Sequence, residues 1–271
     1  MNYVNINGRL VPANDASVAL DNGAFRYGYG LFETMLVRDN AIRLNEYHWE
    51  RLFGGLSQLH FDIPSLLTPA YLEDQVMQLV HKNDAAPLCR IRLQLFAPGG
   101  GLFSHHKWQP SFVIECFSLN PSDLDLNENG LVLGLATGLQ KSTDALANLK
   151  SCNALIYAIA ARQARENQWN DALILNTAGN IIESTIANIF WITDDIIYTP
   201  PLADGCIAGV MRRHLLSNNS IVERSLTLPT LLEADEVFLT NAIKQVRWVG
   251  MMDKRKYGNS RAKELFKLAG A

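Results

Sequence analysis

Between Asn120 and Gly130 the chain is almost stripped of apolar residues, with Pro121-Ser122-Asp123 followed by Asn127-Glu128-Asn129-Gly130. A stretch of turn formers with so little to bury makes a poor core element and a good connection. It divides the 271 residues into two segments, each long enough to build its own core. The expectation is a domain over 1–119, a linker over 120–130 and a larger domain over 131–271.

The first segment mixes strands and helices. Tyr3 to Ile6 and Arg9 to Pro12 flank Asn7-Gly8, the strongest short hairpin signal. A glycine-rich turn, Arg26-Tyr27-Gly28-Tyr29-Gly30, leads into a strand over 31–37 that turns at Asp39-Asn40. Leu52, Leu56 and Leu59 share one face of a helix over 45–59, with Asn45 as its expected N-cap, and a second helix fits 69–82. Residues 89–96 alternate, placing Arg90, Arg92 and Gln94 on one face, and 111–117 can pair with them. The connecting Gly99-Gly100-Gly101 lacks the Lys-Ser/Thr of a phosphate-binding P-loop and reads as a mobile hairpin loop.

The second segment opens with a strand over 131–136 and then presents a lysine in an unusual setting. Lys150 follows Ala145-Leu146-Ala147-Asn148-Leu149 and precedes a run, 151–161, that is apolar or small on nearly every helix face. A helix apolar all round is expected to be buried, and this one is expected to run to about Gln168. Lysine is rarely buried without a partner, and burial lowers its pKa, which makes its amine a nucleophile. A surface lysine at a helix end is the plain alternative. A meander follows over 172–175, 181–185, 189–192 and 196–198, then a helix from about Val210 and a strand over 236–240.

Charge and cysteine usage exclude several function classes. A net charge of -3 and a pI near 6.1 argue against nucleic acid as a partner. The densest basic cluster, Lys254-Arg255-Lys256, reads as a solvated loop. No run of about 20 apolar residues could span a bilayer, and no signal peptide opens the chain, so a cytoplasmic protein without membrane contact is expected. Cys89, Cys116, Cys152 and Cys206 lack metal-site or disulfide spacing and read as reduced thiols. His105-His106 has no acidic or thiol partner at useful spacing, so no metal is expected.

Four further features stand out. Glu183 follows two isoleucines in a strand that should be buried. Gly209 opens a helix, where bare N–H groups attract anions. Arg51 lies on a helix rich in apolar residues, and Thr240-Asn241-Ala242 ends a strand with small groups. Taken singly, each has a structural reading: an edge carboxylate, a capping glycine, a surface charge, a turn.

Taken together, they resemble the fold-type IV, or class IV aminotransferase-like, pyridoxal-phosphate enzymes. The segments that carry the resemblance are Tyr27-Gly28-Tyr29-Gly30-Leu31-Phe32-Glu33-Thr34, His48-Trp49-Glu50-Arg51-Leu52, Leu149-Lys150-Ser151-Cys152-Asn153 and Glu183-Ser184-Thr185-Ile186-Ala187-Asn188-Ile189-Phe190. They continue with Tyr198-Thr199-Pro200-Pro201-Leu202, Gly209-Val210-Met211-Arg212 and Ala234-Asp235-Glu236-Val237-Phe238-Leu239-Thr240-Asn241-Ala242, in family order from about residue 3 to 249. The resemblance implies a two-domain α+β or α/β fold, with a small N-terminal α/β domain and a larger β-rich domain carrying the cofactor lysine.

The resemblance also implies roles. Lys150 matches the lysine that forms a Schiff base with pyridoxal 5′-phosphate and shuttles the proton. Glu183 matches the acid that pairs with the pyridine nitrogen and keeps it protonated. Arg51, Val210, Met211, Asn241 and Ala242 match positions around the cofactor phosphate. Arg92 and Tyr27 match substrate-pocket positions, Arg92 being suited to a carboxylate. Relatives are dimers, which implies a homodimer acting on a small carboxylate that bears an amine.

The branch is narrower still. Branched-chain aminotransferases usually carry Phe-Glu-Gly, a tyrosine five residues after the lysine, and a late Gly-Thr pair. Here stand Phe32-Glu33-Thr34, Leu155 and Asn241-Ala242, which are closer to aminodeoxychorismate lyase. That enzyme converts 4-amino-4-deoxychorismate to 4-aminobenzoate and pyruvate, feeding folate synthesis. A D-amino-acid or branched-chain transaminase of the same fold is the alternative, and a non-catalytic cofactor-binding homologue the third reading. Two positions depart from the family: Tyr29 replaces the aspartate of Gly-Asp-Gly, and Trp248-Val249 replaces a Pro-Val ending.

Overall fold

In the computed structural model, which describes residues 2–99 and 108–270, the chain divides into two units. One is Met1–Asp123 with Lys150–Asn153, and the other is Leu124–Leu149 with Ala154–Ala271. Gly100, Gly101 and His105-His106 lie outside the described residues.

The first unit contains β1 (Tyr3–Ile6), β2 (Arg9–Pro12), α1 (Gly23–Tyr27), β3 (Gly30–Arg38), β4 (Ala41–Ile42), α2 (Asn45–Gln58), α3 (Pro69–Lys82), β5 (Leu88–Phe96) and β6 (Ser111–Ser118). Asn7 and Gly8 both take positive φ, 51° and 84°, as the two-residue hairpin requires. The strands form one sheet in the order β2-β1-β6-β5-β3-β4, every pairing antiparallel. Alternation buries Ile91, Leu93 and Leu95 of β5 and leaves Arg90, Arg92 and Gln94 on the opposite face. On β3 the same rule sets Glu33 among Leu31, Met35 and Val37, all buried. Helix α2 packs against β3 with Trp49, Leu52 and Leu56, and α3 buries Leu72, Val76, Leu79 and Val80. Asn45 is not the N-cap of α2. Leu44 occupies that position in a left-handed conformation, while the Asn45 side-chain Oδ1 accepts from the N–H of Glu46.

The second unit contains β7 (Leu131–Lys141), α4 (Leu155–Glu166), β8 (Asp171–Asn176), β9 (Ile181–Ser184), β10 (Asn188–Thr193), β11 (Ile196–Thr199), α5 (Val210–Asn218), β12 (Ile221–Glu223), α6 (Leu228–Glu233), β13 (Glu236–Asn241), β14 (Gln245–Met252), β15 (Arg255–Lys256) and α7 (Ser260–Gly270). The strand order is β12-β11-β10-β13-β14-β7-β8-β9, and β9 pairs back onto β10. The sheet therefore closes on itself from β10 round to β9, which removes two edges that would otherwise be exposed. Leu133, Leu173, Ile189, Trp191, Val237 and Val249 are among the residues of its core. No described helix is long and apolar enough to cross a membrane.

Three expectations are corrected in this unit. Strand β7 extends to Lys141, past an irregularity between Leu135 and Gln140. The predicted basic loop is a turn followed by β15, which pairs with β14 and remains exposed. Most consequentially, α4 begins at Leu155 rather than at Lys150, and it is not buried all round. It seats Ala160 and Ala164 against Ala136, Ala172, Ile174 and Ile182, whereas Leu155 is 67% and Ile159 38% exposed. Small residues let the helix approach closely through a narrow stripe, so its apolar composition did not require a covering layer on every side.

Candidate active site

Lys150 lies outside the helix that follows it. Its segment runs beside the start of β3, where the N–H of Phe32 donates to the Lys150 carbonyl at 2.9 Å and that of Cys152 to the Gly30 carbonyl at 2.8 Å. Leu31 and Ser151 form an antiparallel bridge. Lys150 is half-buried, with Nζ 4.3 Å from the centre of the Phe32 ring. An ammonium over an aromatic face is held by the ring quadrupole.

Glu33 reaches from the inner face of β3 to α2. Arg51 Nε donates to its Oε1 at 2.8 Å and Arg51 Nη2 to its Oε2 at 2.5 Å, a bidentate pair, while His48 Nδ1 lies 2.6 Å from Oε2. Burial alone would raise the Glu33 pKa. The Arg51 guanidinium and the His48 hydrogen bond outweigh it and hold the carboxyl at about 2. His48 is shifted down chiefly by burial, against the pull of Glu33, with Arg51 and Lys150 adding smaller contributions in the same direction as burial. The His48–Glu33 contact is accordingly a donation from a neutral imidazole, and Arg51 is the cation of the pair. His48 Nε2 is buried with no hydrogen-bond partner among the described residues. Two of the three Arg51 nitrogens are thus spent on Glu33, which fixes the direction of the third.

Arg92 and Tyr27 are more open. Arg92 donates to Gln94 at 3.0 Å, stands 3.8 Å from Glu115 and lies 4.1 Å from the Phe32 ring centre. Phe32 therefore carries two cations, from Arg92 and Lys150. Tyr27, the last residue of α1, is 38% exposed.

In the second unit the closure of the sheet sets up a row of polar side chains. Glu183, near the end of β9, is paired with Asn188 at the start of β10, and Asn188 is paired with Thr240 on β13. Directly paired residues project from the same face, so three buried polar groups stand side by side. Glu183 Oε1 accepts from Lys141 Nζ at 2.6 Å and from the Tyr157 hydroxyl at 2.7 Å, and Oε2 accepts from the N–H of Ile207 at 2.9 Å. Asn188 Nδ2 donates to the Ile207 carbonyl at 2.9 Å, and Thr240 Oγ1 has no hydrogen-bond partner among the described residues.

The row ends at α5, whose N-cap is Gly209 and whose first turn has no side-chain cap. The N–H groups of Val210 and Met211 thus open the helix as anion donors. A Cβ on Gly209 would fall 1.9 Å from Asn188 Oδ1, so this turn admits no side chain as it stands. Asn241 Oδ1 accepts from the N–H groups of Ile243 and Lys244 at 3.0 and 2.8 Å, which shapes the turn that contains Ala242. A bare helix start, an orphaned hydroxyl and a buried carboxylate suit a ligand with an anionic end and a cationic ring nitrogen.

The amino-transferase class IV family profile matches residues 30–250. The chain belongs to that family. Its members are pyridoxal-phosphate enzymes, so the chain is an enzyme of the two-domain fold-type IV class. It is 29% identical to the aminodeoxychorismate lyase of Vibrio harveyi, over 83% of this chain and 84% of that one. It is 28% identical to the proposed branched-chain-amino-acid aminotransferase of Methanocaldococcus jannaschii, over 97% and 92%. Among solved structures, the proposed 4-amino-4-deoxychorismate lyase of Legionella pneumophila superposes with a TM-score of 0.84 at 29% identity, covering 95% of this chain and 96% of that one.

The two departures from the class IV pattern have structural roles. The Tyr29 hydroxyl donates to the Leu59 carbonyl at the end of α2, and its ring packs on Phe61 and Trp108. Trp248 Nε1 donates to the Asn127 carbonyl at 2.7 Å while Asn127 Nδ2 donates back to the Trp248 carbonyl at 3.0 Å, clasping the connecting segment to β14. Sequence reasoning missed the partners of the chosen residues: His48 beside Glu33, and Lys141 and Tyr157 beside Glu183. His48 had a readable signal, since it stands one helical turn before Arg51 and shares its face. Lys141 had none.

Proposed function

We propose that this protein is a pyridoxal-phosphate-dependent 4-amino-4-deoxychorismate lyase. The observation that carries the branch is at Leu155. Branched-chain aminotransferases usually place a tyrosine five residues after the lysine; here Leu155 stands there, 67% exposed, with no hydroxyl to offer. The 29% identity to the Vibrio lyase over most of both chains supports the same reading.

The residues present fit the cofactor. The bare N–H groups of Val210 and Met211, with the Asn241-Ala242 turn and Arg51, would hold the phosphate. Glu183 would pair with the ring nitrogen, and Lys150 Nζ would form the covalent link. When bound, pyridoxal phosphate supplies the electron sink for a carbanion. Arg92, with Tyr27 as a wall, would orient a substrate carboxylate. Lys150 Nζ would be the base that takes the proton from the carbon bearing the substrate amine. The C–O bond to the enolpyruvyl group then breaks, the ring becomes aromatic, and the released enolpyruvate gains a proton to leave as pyruvate.

A homodimer working in the cytoplasm completes the reading. The exposed Leu155 and Ile159, one turn apart on α4, are the kind of surface a second copy covers. Light scattering on the purified protein checks this, a monomer at assay concentration being the contrary result.

The deciding assay offers 4-amino-4-deoxychorismate to the cofactor-loaded enzyme without any keto acid. Formation of 4-aminobenzoate and pyruvate in equal amounts is expected. The 28% identity to the Methanocaldococcus protein favours a transaminase as second reading. Failure to form product, with amino-group transfer from an amino acid to a keto acid, would establish that one instead.

A further inference from the structure

Glu183 is 3% exposed and already carries three donors. Lys141 Nζ and the Tyr157 hydroxyl both sit on Oε1, and the N–H of Ile207 sits on Oε2. A carboxylate oxygen offers two lone pairs. Oε1 is therefore filled, and Oε2 keeps one acceptor position.

The donors come from three different elements. Lys141 is the last residue of β7, re-aimed by the irregularity between Leu135 and Gln140. Tyr157 lies in the first turn of α4, and its ring also receives the Lys141 ammonium at 5.3 Å. Ile207 precedes α5. From that same loop Cys206 faces Glu183, with Asp204 and Arg212 acting on the thiol in turn. Burial first, and Glu183 second, push the Cys206 thiol up to about 12 and raise the Tyr157 phenol as well. Both stay neutral at physiological pH, so the positive charge beside Glu183 is that of Lys141.

We infer that Lys141 and Tyr157 are positioning residues for the cofactor: they hold the Glu183 carboxylate in place through Oε1 before anything binds and present Oε2 alone to the ring nitrogen. The inference deepens the cofactor reading above and rests on it. A buried carboxylate deprived of its cation protonates at higher pH. Without Lys141, a pyridinium ligand would have to displace a proton from Glu183, and affinity would fall as the solution is acidified. With Lys141, the carboxylate keeps its cation on Oε1 and Oε2 stays turned to the ligand.

The test measures dissociation constants of 4′-deoxypyridoxine 5′-phosphate, which has the ring and phosphate but cannot bond to Lys150. They are measured from mildly alkaline to mildly acidic pH for the wild type, Lys141→Met, Lys141→Arg and Tyr157→Phe. Taking each variant's ratio to wild type cancels the titration of the probe itself. For Lys141→Met the ratio should rise as pH falls, approaching about tenfold per pH unit. Lys141→Arg should hold it level, and Tyr157→Phe should rise in the same direction but less steeply. Ratios for Lys141→Met and Tyr157→Phe that are the same at every pH would mean structural damage only and would overturn the inference. Should Lys141→Met fail to fold, the slope of Tyr157→Phe decides alone. Failure of the wild type to bind the probe would overturn the cofactor reading and this inference with it.

Discussion

Gly209→Ala should injure the helix start and the stability of the second unit together. The backbone there has φ -69° and ψ 137°, which any residue can adopt, so the cost is steric. The new methyl would lie 1.9 Å from Asn188 Oδ1. Asn188 is buried and its amide is tied to the Ile207 carbonyl at 2.9 Å. Moving it away breaks that bond, about 1 kcal/mol, and leaves a buried amide short of a partner, about 1 kcal/mol or more. Tilting the side chain off its rotamer adds about 0.5–1.5 kcal/mol. The Ile207 carbonyl keeps the N–H of Gly209 at 2.8 Å, so no acceptor is orphaned. The expected loss is about 2–4 kcal/mol, a drop in thermal midpoint of about 4–12 °C for a unit of this size. Circular dichroism melts report it, and phosphate-ligand affinity should fall in parallel because Val210 and Met211 shift. Asn188→Ala removes the obstruction, so the double variant should be more stable than the two single losses predict, by about 1–2 kcal/mol. A Gly209→Ala midpoint within about 1 °C of wild type, or a double variant no better than additive, would refute the reasoning.

Glu33 should govern acid stability of the first unit. Its folded pKa of about 2 lies below the ordinary 4.5, so its contribution, about 3 kcal/mol, is present above pH 4.5 and is lost as pH falls through about 2. Glu33→Gln should lower the urea midpoint at neutral pH, because Arg51 loses its buried partner, yet flatten the decline between these pH values; an unchanged decline would contradict the assignment. Gly134→Ala would set a methyl 2.0 Å from the Trp169 ring and should cost about 1–3 kcal/mol by overpacking, a loss that an unaltered melting curve would disprove. Borohydride reduction of the cofactor-loaded protein, followed by peptide mapping, should label Lys150 and not Lys141, since Lys141 Nζ is engaged with Glu183 Oε1 at 2.6 Å. Label on Lys141 would exchange their roles.

Local pattern carried the reading where neighbours in sequence are neighbours in space. Asn7-Gly8 announced a hairpin because two positive-φ residues suit only a tight turn, and the alternation of 89–96 announced the polar face that bears Arg92. The helix expected over about 69–82 spans Pro69–Lys82, with the Thr68 side chain capping it by accepting from the N–H of Tyr71. The same logic misled at 151–161. Its apolar composition suggests burial on every face, but of those eleven residues only Ala160 is buried, and it packs with Ala164 in one narrow stripe. What the pattern could not carry was register across distant strands. That Glu183 faces Asn188, and Asn188 Thr240, follows from how the sheet closes, and the closure is written in no single segment.

The two lysines show how far such reasoning reaches. Lys150 drew attention because its setting looked wrong for a charge, and that inference began from a helix which does not contain it. Its neighbours, Phe32 and the Glu33–Arg51 pair, come from strand β3 and helix α2, far away in sequence. Lys141 drew none, since a lysine at a strand end is ordinary until the strand's irregularity turns it onto a buried carboxylate. One amine is held over an aromatic face, and the other is committed to an anion. An amine held in an ion pair sets the charge beside its partner, whereas attack and proton transfer need an amine with its lone pair available.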